Sequence, residues 1–127
     1  MTGGDLVEQA VLRLRECGAV FGYLHGSRAS GTATPGSDVD VAAWFGRAAD
    51  AWVVAGPLPE QVDLLVLDTA PLELAGRVAL HGALLFEDDP AARVRWEATT
   101  RKVYLDEAPR RAQARADYAE ARRHGRP

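Results

Sequence analysis

The N-terminal part of the chain alternates between helical and extended spacings of apolar residues. Four of these residues follow the i, i+3, i+4, i+7 spacing of one helix face: Val7, Ala10, Val11 and Leu14. This spacing predicts an amphipathic helix that stops at Gly18. The apolar run 19–25 then predicts a strand, and residues 27–31 predict a short helix directly after Gly26.

Two further apolar runs in the middle of the chain predict strands. The first covers residues 38–45, after a turn at Pro35-Gly36, and the second covers residues 61–67. The segment 46–60 between them ends in a stretch rich in proline and glycine. Because proline lacks a backbone donor and blocks a regular helix, this segment is predicted to form only a brief helical turn or an irregular link.

The last part of the chain is mainly helical in its pattern. Thr69 is expected to cap the start of a helix with its hydroxyl, and Gly82 is expected to close that helix. A short strand is predicted for residues 83–86. A long helical tail is predicted to begin at Pro90 and to be interrupted near Pro109.

The tail carries its own apolar stripe. Trp96, Thr100 and Val103 lie at i, i+4 and i+7, so the first tail helix is expected to dock on the body of the protein. Residues 1–89 are therefore expected to form the core and residues 90–127 a helical extension packed on it, within a single domain. The alternation of strands and helices predicts an α/β (α+β) fold.

Charge is distributed unequally along the chain, although the net charge is only −3. Residues 1–89 contain 5 Lys/Arg and 13 Asp/Glu, whereas residues 90–127 contain 10 and 5. An acidic body argues against direct nucleic-acid binding, which requires positive charge around the binding site. The basic tail is predicted either to meet a protein partner or to remain a solvated helix.

Length and composition predict a small protein of the cytoplasm. The 127 residues suffice for one domain, and the single cysteine, Cys17, excludes an internal disulfide and fits a reducing compartment. The N-terminus lacks the basic and apolar regions of a leader peptide, and no window approaches the roughly 18 apolar residues of a membrane span.

The residues that carry candidate chemistry lie between the first two predicted strands. The Gly26-Ser27 turn before a helical start presents unpaired backbone N–H groups, which favour a phosphate oxygen. Asp38 and Asp40 are two residues apart, so they project from one face of the second strand. Two like charges about 7 Å apart require a cation or a proton, and Mg²⁺ prefers such oxygen ligands. Asp63 on the next strand is the expected third carboxylate.

The order of these motifs resembles a known superfamily. Gly26-Ser27, ten intervening residues, Asp38-x-Asp40 and a later strand aspartate, Asp63, are similar to the DNA polymerase beta nucleotidyltransferases. The short chain, from about Leu6 to Tyr118, resembles the minimal nucleotidyltransferases that act as antitoxins to HEPN-domain ribonuclease toxins. The resemblance implies a polymerase-beta-like fold, with a small mixed sheet flanked by helices and a C-terminal helical tail.

The resemblance also implies an activity and a set of site residues. The expected reaction transfers AMP from ATP to a hydroxyl of the cognate toxin, by resemblance a tyrosine, within a hetero-oligomer. Catalysis and the binding of two Mg²⁺ ions are assigned to Asp38, Asp40 and Asp63. Nucleotide binding is assigned to Gly26, Ser27, Arg28 and Ser37.

Two other functions remain open from the residues alone. The protein could neutralise a toxin by binding and occlusion, with the carboxylates as a remnant, although the intact carboxylate set favours the enzyme. It could instead transfer a nucleotide to a small molecule such as an aminoglycoside, although no second substrate domain is evident.

Asp68 lies five residues after Asp63, on the opposite strand face, so only one of the two can join the site.

Overall fold

The chain folds around a four-stranded mixed sheet. A computed structural model describes residues 3–33, 36 and 38–123. The strands are β1 (Phe21–His25), β2 (Val39–Trp44), β3 (Val62–Val66) and β4 (Ala83–Glu87). Their order in the sheet is β3-β2-β1-β4, where β1 is antiparallel to both β2 and β4, and β3 is parallel to β2. The predicted α/β class, the small mixed sheet and all four strands are confirmed.

The described part of the chain contains six helices. They are α1 (Gly3–Glu16), α2 (Ser27–Ser30), α3 (Ala51–Ala55), α4 (Leu72–His81), α5 (Pro90–Asp106) and α6 (Ala108–Arg123). The brief helix predicted between the second and third strands is α3, and the predicted interruption near Pro109 separates α5 from α6. Pro90 begins α5 as predicted, because Asp89 caps that helix by accepting from the backbone N–H of Ala92 at 3.1 Å.

The two faces of the sheet pack against different helices. Along β2, Val41 and Ala43 point to one face and Ala42 points to the other, as the two-residue repeat of a strand requires. The first face is covered by α1 and α3, whose buried residues include Leu6, Ala10, Leu14 and Val54. The second face is covered by α4 and α5, whose buried residues include Ala75, Val78 and Ala92.

The start of α4 differs from the prediction. Thr69 does not cap this helix, which begins at Leu72 after Pro71 and has no side-chain cap. Pro71 has an extended backbone, with φ −57° and ψ 145°, and a proline disfavours helical backbone in the residue before it. The helix therefore cannot extend back to Thr69. Gly82 closes α4 as predicted.

The tail helix α5 docks on α4 and on the second face of the sheet. The Trp96 ring packs on the body as predicted, with its centroid 5.7 Å from that of Tyr23. Val103 does not belong to the docked stripe, because it is 44% exposed. The next docked position is instead Tyr104, whose ring lies directly against Gly76 of α4. The docked residue therefore lies four residues after Thr100, whereas the sequence analysis predicted the residue three positions after Thr100, Val103.

Candidate functional site

A row of polar side chains crosses three strands at one end of the sheet. Asp40 on β2 and Asp63 on β3 are direct register partners, and His25 on β1 is the register partner of Asp40 on the other side. Because register partners project from the same face, His25, Asp40 and Asp63 lie side by side on that face. Asp38 immediately precedes β2 at the same end. The fold therefore brings the predicted carboxylates together from segments far apart in sequence.

The Gly26 turn is built against this row. Gly26 follows β1 with φ 72° and ψ −151°, a conformation that side-chain-bearing residues rarely adopt. A Cβ atom at this position would collide with the carboxylate of Asp40. Only a glycine therefore lets the turn approach Asp40 so closely. Ser27 begins α2, which is a single helical turn that ends at Gly31.

The electrostatics of the row centre on Asp40. Partial burial raises the pKa of the Asp40 carboxyl above its ordinary value, the nearby His25 lowers it, and the neighbouring Asp63 and Asp38 carboxylates raise it. The Nε2 atom of His25 is buried and has no hydrogen-bond partner within the described part of the chain. The row thus places two exposed carboxylates beside the partly buried Asp40.

The donor set fits a hard divalent cation in its chemistry. Mg²⁺ takes one or two carboxylates and completes its shell with water and substrate phosphates. Across residues 3–33, 36 and 38–123, no three Asp, Glu, His or Cys side chains converge closely enough to hold a metal ion as they stand. A cation bound here by one or two carboxylates would complete its shell with water and phosphate oxygens.

Two other residues, Arg28 and Ser37, were predicted to bind nucleotide, and the structure describes only Arg28. The guanidinium group of Arg28 lies against Gly3 at the start of α1. Ser37 lies outside the residues that the structure describes. A contact of either residue with nucleotide stays a prediction.

Asp68 binds the backbone at the end of β2. Its two carboxylate oxygens accept hydrogen bonds from the backbone N–H groups of Phe45, at 2.9 Å, and Gly46, at 2.8 Å. These bonds satisfy donors that the end of the strand leaves unpaired. Asp68, just after β3, is thereby bound to the turn that follows β2, so Asp63 is the carboxylate of the third strand that lies beside Asp40.

A cavity of about 710 Å³ lies beside the Gly26 turn. Its polar wall includes His25 and Gly26, and its apolar wall comes from Leu65 on β3 together with Leu74 and Val78 on α4. Leu65 is two residues after Asp63, so it projects from the same face of β3. The cavity therefore continues from the carboxylate row under α4, and it combines apolar walls with polar groups as ligand sites do.

A second recess, of about 440 Å³, borders the β3 end of the row from the other face of the sheet, which α3 covers. It runs between α3 and β3, the outermost strand of the sheet. Asp63 and Trp52 both line it. The sequence analysis did not single out Trp52, because the short segment around it gave no periodic pattern that would mark an exposed aromatic residue.

A comparison with models of protein families shows to which family the chain belongs. Residues 15–91 match the family model described as polymerase beta, nucleotidyltransferase. The chain belongs to this family. The matched region contains the Gly26 turn and all three carboxylates of the candidate site.

Solved structures with the same fold come from toxin–antitoxin complexes. A chain in a toxin–antitoxin crystal structure with AMP-PNP has a TM-score of 0.74 and 24% identity, and the match covers 88% of this chain and 98% of that chain. A chain in a complex of a tri-AMPylated Shewanella oneidensis HEPN toxin with MNT antitoxin has a TM-score of 0.66 and 22% identity, covering 89% and 96%. A chain of the MntA–HepT toxin–antitoxin gives the same score and identity, covering 89% and 97%.

The sequence has no match among curated proteins. Among the described helices, none has the length and apolar character needed to cross a membrane.

Proposed function

We propose that this chain is an antitoxin that transfers AMP from ATP to a hydroxyl group of a HEPN-domain toxin, by resemblance a tyrosine, and so neutralises it. The observation that carries the proposal is the register pairing of Asp40 with Asp63, beside a glycine turn that touches Asp40. This arrangement joins a phosphate-binding turn to paired carboxylates in a member of a nucleotidyltransferase family.

The structural neighbours support the choice of substrate and partner. One is a toxin–antitoxin complex with AMP-PNP, and another contains a tri-AMPylated HEPN toxin bound to an MNT antitoxin. Both matches cover nearly the whole of the neighbouring chain. The partner proposed for this chain is accordingly a HEPN-domain toxin, encoded beside it and acting in the same compartment, the cytoplasm.

The proposed reaction is an in-line displacement at the α-phosphorus of ATP. The acceptor oxygen forms a new bond to phosphorus, the bond from that phosphorus to the bridging oxygen of the β-phosphate breaks, and pyrophosphate leaves with the bonding electrons. The hydroxyl proton passes to solvent or to a carboxylate of the row. Backbone N–H groups of Gly26 and Ser27 orient the β- and γ-phosphates, and the 710 Å³ cavity beside them receives the nucleoside.

Metal dependence is part of the proposal. Asp38, Asp40 and Asp63 would hold Mg²⁺, with two ions expected from the resemblance. Bound there, the ions would stabilise the charge on the attacking and leaving oxygens. Burial is the largest cause of the raised pKa of Asp40, and repulsion from the Asp63 and Asp38 carboxylates adds to it when no cation is bound.

The test combines the purified chain with labelled ATP, Mg²⁺ and the HEPN-domain protein encoded beside it. Label should transfer to that protein, and EDTA should stop the transfer. The variant Asp38→Asn/Asp40→Asn should lose transfer. The matched control is Asp106→Asn/Asp117→Asn, which removes two charges from the exposed face of the tail and should retain it.

The same variants separate catalysis from occlusion. If Asp38→Asn/Asp40→Asn neutralises the toxin as well as the unmodified chain at matched concentration, neutralisation occurs by binding alone. Transfer of label by the unmodified chain, together with failure of this double variant to neutralise, establishes the enzymatic function.

A further inference from the structure

The short helix α3 exposes an unusually large apolar surface. Trp52 is 90% exposed and the neighbouring Val53 is 65% exposed. The helix itself is well fixed, because Asp50 caps it by accepting from the backbone N–H groups of both residues. Arg13 of α1 also donates to the backbone carbonyl of Val54 at 2.8 Å. An aromatic side chain held in water by a fixed helix is typical of a binding surface.

Trp52 forms one wall of the 440 Å³ recess, which we call the edge groove. Leu58 and Pro59 contribute further apolar surface, and Glu60 and Asp63 contribute negative charge. The groove therefore runs along the α3-covered face of β3, from an exposed indole to the strand edge at Asp63. Because β3 is an outer strand of the sheet, its free edge and the groove beside it face solvent.

The edge groove borders the Asp63 end of the carboxylate row, opposite the Gly26 turn, but lies on the other face of the sheet, because α3 covers the first face and the row lies on the second. A segment in the groove would therefore reach the row around the free edge of β3. Gly26 follows β1, Asp40 lies on β2 between them, and Asp63 lies on β3 beside the groove. In an in-line displacement the acceptor approaches phosphorus from the side opposite to the leaving group. With the β- and γ-phosphates at the Gly26 turn, the acceptor therefore approaches from the Asp63 end of the row.

We infer that the edge groove receives the acceptor-bearing segment of the partner protein and that Trp52 anchors this segment. This inference rests on the proposed function and adds to it the surface that selects the acceptor. The segment carries its acceptor hydroxyl at the Asp63 end and an apolar side chain against Trp52. A Lys or Arg beside them complements Glu60 and Asp63 and can stack on the indole.

The kinetic test uses the full chain, Mg²⁺-ATP and the HEPN toxin, with AMP transfer followed by intact mass. Trp52→Ala should raise the KM for the toxin about tenfold or more, as the loss of a tryptophan anchor does. The KM for ATP should not change, because the nucleotide binds at the other end of the row. Trp52→Phe should lie between Trp52→Ala and the unmodified chain. The matched control is Leu105→Ala, which shortens an exposed apolar side chain of α5 outside the groove and should have no effect.

Footprinting by hydroxyl radicals gives a second readout that does not depend on catalysis. Oxidation of Trp52 should fall at least severalfold when the toxin is added, whereas oxidation of the exposed Tyr118 in α6 reports on the tail separately. An unchanged KM for Trp52→Ala, or full oxidation of Trp52 in the complex, would overturn the inference. Protection of Trp52 by raising the concentration of this chain alone would also overturn it, by assigning the groove to a second copy.

Failure of the proposed function gives a different result. If the unmodified chain transfers no AMP, the function is wrong, and protection of Trp52 by the toxin then decides whether the edge groove still binds it. If the unmodified chain transfers AMP but Trp52→Ala does so with the same KM, only the groove assignment is wrong.

Discussion

The hydroxyl of Tyr23 on β1 donates a 2.5 Å hydrogen bond to the carboxylate of Glu97 on α5. Glu97 is buried, with 9% of its surface exposed, and it also pairs with Arg93 and Arg101 at 3.2 Å each. Burial and the Glu97 carboxylate together raise the pKa of the Tyr23 hydroxyl, so it remains a donor at neutral pH. This network fixes the tail helix to the central strand of the sheet.

Loss of Glu97 should therefore destabilise the fold. Glu97→Ala leaves a buried hydroxyl without its acceptor and removes one of the partners of each of the two arginines, and it should cost about 3 kcal/mol. Chemical denaturation measures this change. The control Asp106→Ala, which breaks an exposed pair with Lys102, should shift stability by no more than about 0.5 kcal/mol. Equal effects of the two variants would show that the network contributes no more than a surface pair.

Asp40 and Asp68 should respond oppositely to replacement by asparagine in the metal-free protein. The pKa of Asp40 is raised in the folded state, so folding favours its neutral form, and the ionised carboxylate lowers stability at neutral pH. Asp40→Asn should therefore match or exceed the unmodified chain in Tm at pH 7. Its advantage should shrink as the pH falls through the raised folded-state pKa of Asp40, and it should be gone below the ordinary value of 3.8, where Asp40 is neutral in both the folded and the unfolded state. Asp68→Asn weakens two backbone hydrogen bonds and should cost about 1 to 2 kcal/mol.

Thermal melts in EDTA at pH 7 and at pH 3 to 4 check both expectations. A clear loss of Tm for Asp40→Asn at pH 7 would mean that this carboxylate stabilises the fold and is not held there against repulsion. Such a result would weaken the assignment of the row as a cation site.

Gly76 should not tolerate a side chain. A Cβ atom there would overlap the ring of Tyr104 and approach its Cβ at 2.8 Å, so α4 and α5 would have to separate. Gly76→Ala should destabilise the protein by about 2 kcal/mol, although alanine is the better helix former by about 1 kcal/mol. A double-mutant cycle with Tyr104→Ala measures the clash, since removing the ring should recover most of the loss. Additive effects of the two changes would contradict this packing.

Charge on α6 should steer association with the partner. Arg110, Arg111 and Arg115 lie close together in the sequence of this segment, but Arg111 stacks on Tyr104 at 3.8 Å and so takes part in the fold. Arg110 is highly exposed, with only a 3.5 Å surface pair to Glu107, and Arg115 is exposed as well. Arg110→Glu/Arg115→Glu should slow complex formation several-fold at low salt and leave Tm unchanged.

Association rates measured across salt concentrations test this prediction. The difference between the variant and the unmodified chain should disappear as salt screens the charges. An unchanged rate at low salt would show that α6 is a solvated helix that does not guide the partner.

Local signals in the sequence predicted most of the fold and the candidate carboxylates. The strands and α1 follow regular spacings of apolar residues, and the Gly26 turn with Asp38 and Asp40 lies within a short stretch. Asp63 could be proposed because it begins a strand, but its register with Asp40 depends on how β2 and β3 pair. That pairing is a tertiary property, which the resemblance implied and the residues alone did not.

The features that the sequence missed depend on contacts between distant residues. Glu97 has the pattern of a surface charge, and only its bond to Tyr23, 74 residues away in sequence, makes it part of the core. Val103 was placed on the docked face because its spacing fits, but the close approach of Gly76 favours Tyr104. Thr69 was a plausible cap on composition, but the backbone restriction imposed by Pro71 moved the start of α4.

The contact between Gly26 and Asp40 makes the turn and the carboxylate one mechanical unit. No space for a methyl group remains between them, so neither can shift far without displacing the other. A phosphate that displaces the turn would therefore displace the Asp40 carboxylate as well. The arrival of the nucleotide would in this way adjust one of the carboxylates that we propose to hold the cation.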